Sequence, residues 1–187
     1  MLQTILIFLI VFSILVIIHE FGHFYFAKKA GILVREFAIG MGPKVFSTRK
    51  DGTTYTVRLL PLGGYVRMAG YGDDETELRA GMLVKIQIDE NEMITHIDLS
   101  DKEQLEGVPM ELIAYDLDNA MYLEGNIAGR DGIIRYPVKR DALITEADGT
   151  QVQVAPLDVQ FQSASLGKRM MTNFAGPMNN FILGVII

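Results

Sequence analysis

Leu2 to Ile18 is almost wholly aliphatic, and Phe21, Phe24, Tyr25, Phe26 and Ala27 extend the run. Residues 1–27 contain no Asp, Lys or Arg, and Glu20 is their one carboxylate. At ~1.5 Å rise per residue, residues 2–27 make a helix of roughly 39 Å, longer than the ~30 Å hydrocarbon core of a bilayer. A secretory signal peptide would bring a basic start and a small-residue cleavage site. The chain instead opens Met1-Leu-Gln-Thr4, and no Ala-x-Ala follows the aliphatic stretch. The pattern predicts a retained transmembrane helix over residues 1–30.

The period then changes. Val34 to Ile39, Tyr55 to Leu60 and Tyr65 to Met68 are short runs of β type, separated by Gly40-Met-Gly-Pro43, Asp51-Gly52 and Pro61-Leu-Gly-Gly64. Asp51-Gly52 reads as a hairpin turn, because both residues tolerate positive φ. Residues 71–165 read as a soluble, mostly β insert. Strands are expected at Met82 to Asp89 and Met93 to Leu99 around a polar turn, and again at Gly132 to Val138, Ala142 to Glu146 and Gln151 to Val154. Residues 166–187 bring back an apolar pattern. After Lys168 and Arg169, Phe174 to Ile187 is uncharged for 14 residues, short of the ~20 that a span needs. It is expected to be the start of a second transmembrane helix. The fold class is thus an α/β membrane protein with four parts: helix, β-hairpin region (31–70), acidic β-rich insert and second helix.

Charge follows the same division. Residues 1–70 carry 8 Lys/Arg and 3 Asp/Glu, whereas residues 71–167 carry 7 basic and 20 acidic groups. Lys28, Lys29, Arg35, Lys44, Arg49 and Lys50 follow the first helix, and Lys168 and Arg169 precede the second. The positive-inside rule places the N-terminus outside the cell membrane and residues 28–169 on the cytoplasmic side. An acidic body without a basic stripe argues against nucleic acid as a partner. With no cysteine, disulfides, thiol catalysis and Cys-ligated zinc are excluded within this sequence.

The first helix carries His19-Glu20-Phe21-Gly22-His23. Histidines four apart share a helix face, close enough for both imidazoles to bind one ion. A catalytic zinc takes three protein ligands plus water, and it lowers that water's pKa to about 7. Glu20, beside the first histidine, is the candidate general base. On a soluble helix this pattern is often only a solvated polar face. Here its neighbours are Val16-Ile17-Ile18 and Phe24-Tyr25-Phe26, and a charge at mid-membrane costs ~2.5–3.5 kcal/mol on insertion scales. The apolar setting makes function the better reading.

These residues, with Phe37-Ala-Ile-Gly-Met-Gly-Pro43, Leu60-Pro-Leu-Gly-Gly-Tyr-Val66 and Ala175-Gly-Pro-Met-Asn-Asn-Phe181, resemble the site-2 protease family of intramembrane zinc metalloproteases. The bacterial branch containing the regulator of sigma-E protease and its Gram-positive relatives is nearest. The likeness covers Met1 to about Tyr71 and resumes from about Ser165 to Ile187; residues 75–165 match no family pattern. The resemblance implies Zn²⁺ as cofactor, His19 and His23 as ligands, and Glu20 as base. It implies that residues 34–68 form a membrane-re-entrant β-hairpin that guides substrate, with Gly40, Gly42, Pro43, Gly63, Gly64 and Tyr65 as candidate substrate-binding residues. An exposed strand edge holds an extended peptide by β-addition, and glycines permit close backbone approach; the plainer reading of the same glycines is that they make turns.

The family's third zinc ligand is an aspartate in a later apolar helix, in a Leu-Asp-Gly pattern that is absent here. Pro156-Leu157-Asp158 echoes it only superficially, in polar surroundings, and His96 reads as an ordinary surface or half-buried histidine. The ligand is expected downstream of Ile187, so these 187 residues alone should hold zinc poorly. The function expected is an endopeptidase acting on single-span membrane proteins or signal-peptide remnants in the lipid bilayer, as in regulated intramembrane proteolysis. The alternative is a membrane-anchored binding module using the acidic domain, for which a carboxylate between two membrane-embedded histidines has no use. A secreted zinc protease is disfavoured by the missing basic start and cleavage site.

Overall fold

The computed structural model describes residues 1–72, 78–100 and 107–186. The chain divides into two compact units, residues 1–74 with 158–187, and residues 75–157. Residues 158–165 therefore belong with the helices rather than with the insert.

In the first unit, helix α1 (Leu2–Ala30) ends at Gly31, whose left-handed φ of 83° closes the last turn. Lys28 and Lys29 occupy that turn, where cations favour the negative end of the helix dipole. It is long and apolar enough to cross a membrane, the one such helix among the described residues. Strands β1 (Val34–Lys50) and β2 (Thr53–Met68) follow. Both run through the glycine-proline segments that sequence reading treats as interruptions. Their pairing folds the two long strands into four short ones. Phe37 pairs with Val66 on one side and Tyr55 on the other, and Ser47 pairs with Thr56. The order across this sheet is thus 64–68, 34–41, 53–60, 44–50. The joining turn is the expected one, with Asp51 and Gly52 at φ of 51° and 78°.

The sheet lies along α1. Near the helix end Lys28 Nζ donates to the Asp51 carbonyl at 2.8 Å, and fifteen residues earlier Ser13 Oγ donates to the Pro61 carbonyl. At ~1.5 Å per residue those anchors are roughly 22 Å apart along the helix. Toward the Pro61 end Met41, Phe46, Leu59 and Leu60 are exposed. A carboxylate is nonetheless buried within the sheet: Glu36 accepts from Thr56 Oγ1 at 2.6 Å and from Arg58 Nη2 at 3.1 Å. Buried charge is tolerated only when paired and hydrogen-bonded in this way. Helix α2 (Leu166–Ile186) packs on α1; Ile187 lies outside the described residues. Small residues bring the backbones together. A Cβ on Gly22 would stand 2.5 Å from the Ala175 carbonyl oxygen, so the helices touch there with no room for a side chain.

The second unit is all β: β3 (Leu83–Ile88), β4 (Ile94–Asp98), β5 (Val108–Asp116), β6 (Tyr122–Ile127), β7 (Ile134–Thr145) and β8 (Gln151–Gln153). The strand order is β4-β3-β5-β6-β7-β8, and a parallel β4–β7 pairing closes the sheet on itself. Ile86, Ile94, Ile97, Met110, Leu112, Leu123 and Ile144 fill it, all fully buried. The β3–β4 turn is held by Asp89, which accepts from the Asn91 and Met93 amides at 2.9 and 3.0 Å and pairs with Lys139 at 2.7 Å. Those partners, Lys139 first, lower the Asp89 carboxyl to about 2. His96 is buried rather than at the surface, its Nε2 2.7 Å from Thr145 Oγ1. Asp158 sits in a 3₁₀ turn, Leu157–Val159.

Candidate active site

His19 and His23 do converge. Their Nε2 atoms are 3.2 Å apart, because residues four apart on a helix stack on one face. His23 Nδ1 lies 2.7 Å from the Thr172 carbonyl oxygen of α2, and His19 Nδ1 lies 3.2 Å from Asn180 Nδ2 of the same helix. Each ring is therefore held from behind by α2, with its outer nitrogens directed at each other. Gly176 faces the pair: a Cβ there would be 2.3 Å from His23 Nε2 and 2.6 Å from His19 Nε2. Only a residue without a side chain leaves that space open.

Glu20 turns toward the sheet. Its carboxylate accepts a hydrogen bond from the Val66 backbone amide. The 64–68 strand has a strand neighbour on one side only, so it is this edge, not 44–50, that meets the motif. A cavity of about 240 Å³ opens between them, lined by Glu20, His23, Tyr65, Val66, Met68 and Asn173. Pro177 has no N–H to give the Asn173 carbonyl four residues earlier, which leaves that backbone acceptor without its helical donor.

The candidate substrate-binding residues separate into two groups. Tyr65 lines the cavity, and its hydroxyl is held 2.6 Å from Arg58 Nη2. Gly64 lies beside it, where a Cβ would be 3.8 Å from Glu20 Cγ but 2.6 Å from the Ala38 carbonyl oxygen. Gly40, Gly42 and Gly63 have φ of 86°, 82° and 79°. Positive φ there favours glycine, and neither these three nor Pro43 lines the cavity.

The profile of peptidase family M50 matches residues 7–187. The chain belongs to that family. A relative from Enterococcus faecalis, named "Probable protease eep", is 58% identical over 188 residues, covering 99% of this chain and 44% of its own. A Streptococcus pyogenes relative named as a zinc metalloprotease is 55% identical over 182 residues, covering 96% of this chain and 43% of its own. One from Lactococcus lactis is 48% identical over 200 residues, covering all of this chain and 46% of its own. This M50 chain thus spans less than half the length of the curated relatives it matches.

The imidazole pair of the M50 chain fits a zinc ion. At a Zn–N distance of ~2.0–2.1 Å, a 3.2 Å separation of the two nitrogens subtends roughly 100–105° at the metal, close to tetrahedral. The gap above Gly176 keeps the approach clear. Among the described residues no third His, Cys, Asp or Glu joins the pair. Sequence reading alone does not find the Thr172 carbonyl, the Gly176 gap or the Val66 amide, since each acts through backbone. The one visible trace is the run Ala175-Gly176-Pro177, small residues where two helices meet.

Proposed function

We propose that the protein containing this chain is a zinc endopeptidase that hydrolyses peptide bonds within membrane-spanning segments. One observation carries the reading. Glu20 and His23 of a membrane-length helix line one cavity with an edge strand, and His19 Nε2 lies 3.2 Å from His23 Nε2. A membrane segment hides its amides in helical hydrogen bonds, and exposing them in lipid is costly. An edge strand offers replacement partners. The 64–68 edge takes the unwound segment by β-addition, which brings its backbone across the cavity wall formed by Tyr65 and Val66 and up to Glu20.

His19 and His23 would hold the zinc, which would supply Lewis acidity and lower the pKa of water at the site toward neutrality. Glu20 takes the proton of the attacking water and delivers it to the departing amine, the double duty of a general base turned acid. The Val66 amide keeps its carboxylate directed at the substrate edge. The exposed apolar tip of the hairpin, around Met41, Phe46 and Leu60, supports a re-entrant placement in the hydrocarbon.

Reconstituted in lipid, the full-length protein should cut a doubly tagged single-span peptide inside its apolar segment. A zinc chelator such as 1,10-phenanthroline should stop the reaction. Cleavage mapped only to the polar flanks would refute the intramembrane reading.

The same reading puts residues 28–169 on the cytoplasmic side. Lys168 Nζ donates to the Ala30 carbonyl at 3.0 Å, which gathers the basic groups after α1 and before α2 at one end of the pair, as the positive-inside rule asks of a single face. Single cysteines at Asn91 or Asp148 should resist an impermeant thiol reagent in intact cells and react after lysis. Labelling in intact cells would reverse the orientation.

A further inference from the structure

Asn180 follows Gly176 by four residues, so it lies on the same face of α2 one turn further along. Its Nδ2 is 3.2 Å from His19 Nδ1, while its Oδ1 is buried with no hydrogen-bond partner among the described residues. A buried acceptor left in this condition costs free energy and asks for an explanation.

The protons of the two imidazoles follow from their partners. A carbonyl oxygen only accepts, so His23 donates from Nδ1 to Thr172, 2.7 Å away, and its Nε2 carries a lone pair. Asn180 Nδ2 donates to His19 Nδ1, which puts the His19 proton on Nε2. From there it donates to His23 Nε2 at 3.2 Å. This chain of hydrogen bonds is closed and excludes a metal ion, because a ligating ring nitrogen must be unprotonated. For both Nε2 atoms to bind metal, the His19 proton has to sit on Nδ1, and Nδ1–H then needs an acceptor where the Asn180 amide nitrogen now stands. A half-turn of the amide supplies one, since its N and O ends are nearly isosteric.

We propose that Asn180 is a positioning residue that sets the tautomer of His19, its amide turning from donor to acceptor as metal enters. The inference rests on the reading of His19 and His23 as metal ligands. In the loaded state His19 Nδ1–H donates to Asn180 Oδ1, so both histidines are oriented from behind by an oxygen of α2: Thr172 for His23, Asn180 for His19. Outer partners of this kind fix the ring and raise ligand basicity.

The test compares zinc affinity, by chelator competition, in the full-length protein and its Asn180→Leu and Asn180→Asp variants. Loss of the amide should weaken zinc binding ~10–100-fold. The Asp variant, whose carboxylate accepts as Oδ1 does, should remain within a few-fold of the parent. A Leu variant of parental affinity, or an Asp variant as weak as Leu, overturns the proposal. ¹⁵N-histidine spectra of the parent protein guard against misfolding of the variants. His19 should be protonated at Nε2 without metal and at Nδ1 with zinc, and an unchanged tautomer also overturns the proposal. Zinc binding unaffected by His19→Ala would instead sink the metal-site reading on which the proposal stands, and the proposal with it.

Discussion

Glu20→Gln should lower peptide-bond turnover by the full-length protein ~10²–10⁴-fold, the usual contribution of a general base, while its zinc content stays unchanged. The separation of the two effects follows from the geometry. Glutamine keeps the shape of the side chain and an oxygen for the Val66 amide that now donates to Glu20, so the 64–68 edge keeps its place. The two imidazoles are held from α2, not by Glu20, so the ligands stay where they are. What is lost is the group that accepts a proton. Initial rates on a single-span substrate, beside metal analysis of the same preparations, measure both quantities. Activity within a few-fold of the parent would mean that Glu20 is not the base.

Gly176→Ala is the second large effect, and it works in the opposite way. Alanine is the better helix former by ~1 kcal/mol, so α2 itself is not weakened. The added methyl, however, would stand 2.3 and 2.6 Å from the two Nε2 atoms, in the space through which they reach a metal. The rings have little freedom to retreat, since each is tied at Nδ1 to α2. Nor can the helices part easily without losing the close contact of Gly22 with Ala175. Zinc affinity should fall by at least the ~10–100-fold that follows loss of an outer-shell partner, and turnover should fall with it. Chelator competition on a folded Gly176→Ala protein with undiminished affinity would show that the gap is not the metal's approach.

The parts of this structure that depend on local chemistry were legible in the sequence. Helix α1 follows from an unbroken apolar run, the hairpin turn from Asp51-Gly52, and the pairing of the imidazoles from their spacing of four. What depends on the approach of distant backbones was not. Strand β6 carries Gly125, a residue disfavoured inside strands; in the fold it lies against β5, where a Cβ would be 2.2 Å from the Glu111 carbonyl oxygen. Strand β5 contains Pro109, a residue disfavoured in strands, although Met110 and Leu112 point inward and Glu111 outward in alternation. Strand β7 was read as two because Lys139, Arg140 and Asp141 interrupt its apolar pattern, yet Ile134–Thr145 is continuous. The parallel closure of β4 on β7 is a pairing of residues more than forty apart, as between His96 and Leu143, and local patterning does not encode it. At the site, Glu20 and the two imidazoles could be named in advance as candidates. Their support could not, because a carbonyl at 172 and an amide at 66 have no residue-type signature. Gly176 shows in the sequence only as a small residue, not as the gap in front of the imidazoles.

Zinc stoichiometry decides whether His19 and His23 bind the metal. The full-length protein, purified and dialysed, should retain one zinc per chain by elemental analysis. His19→Ala and His23→Ala should each lose it, and Glu20→Gln should keep it. Full retention of zinc by both histidine variants would contradict the account, because the metal would then lie elsewhere and the convergence of His19 with His23 would have no catalytic meaning.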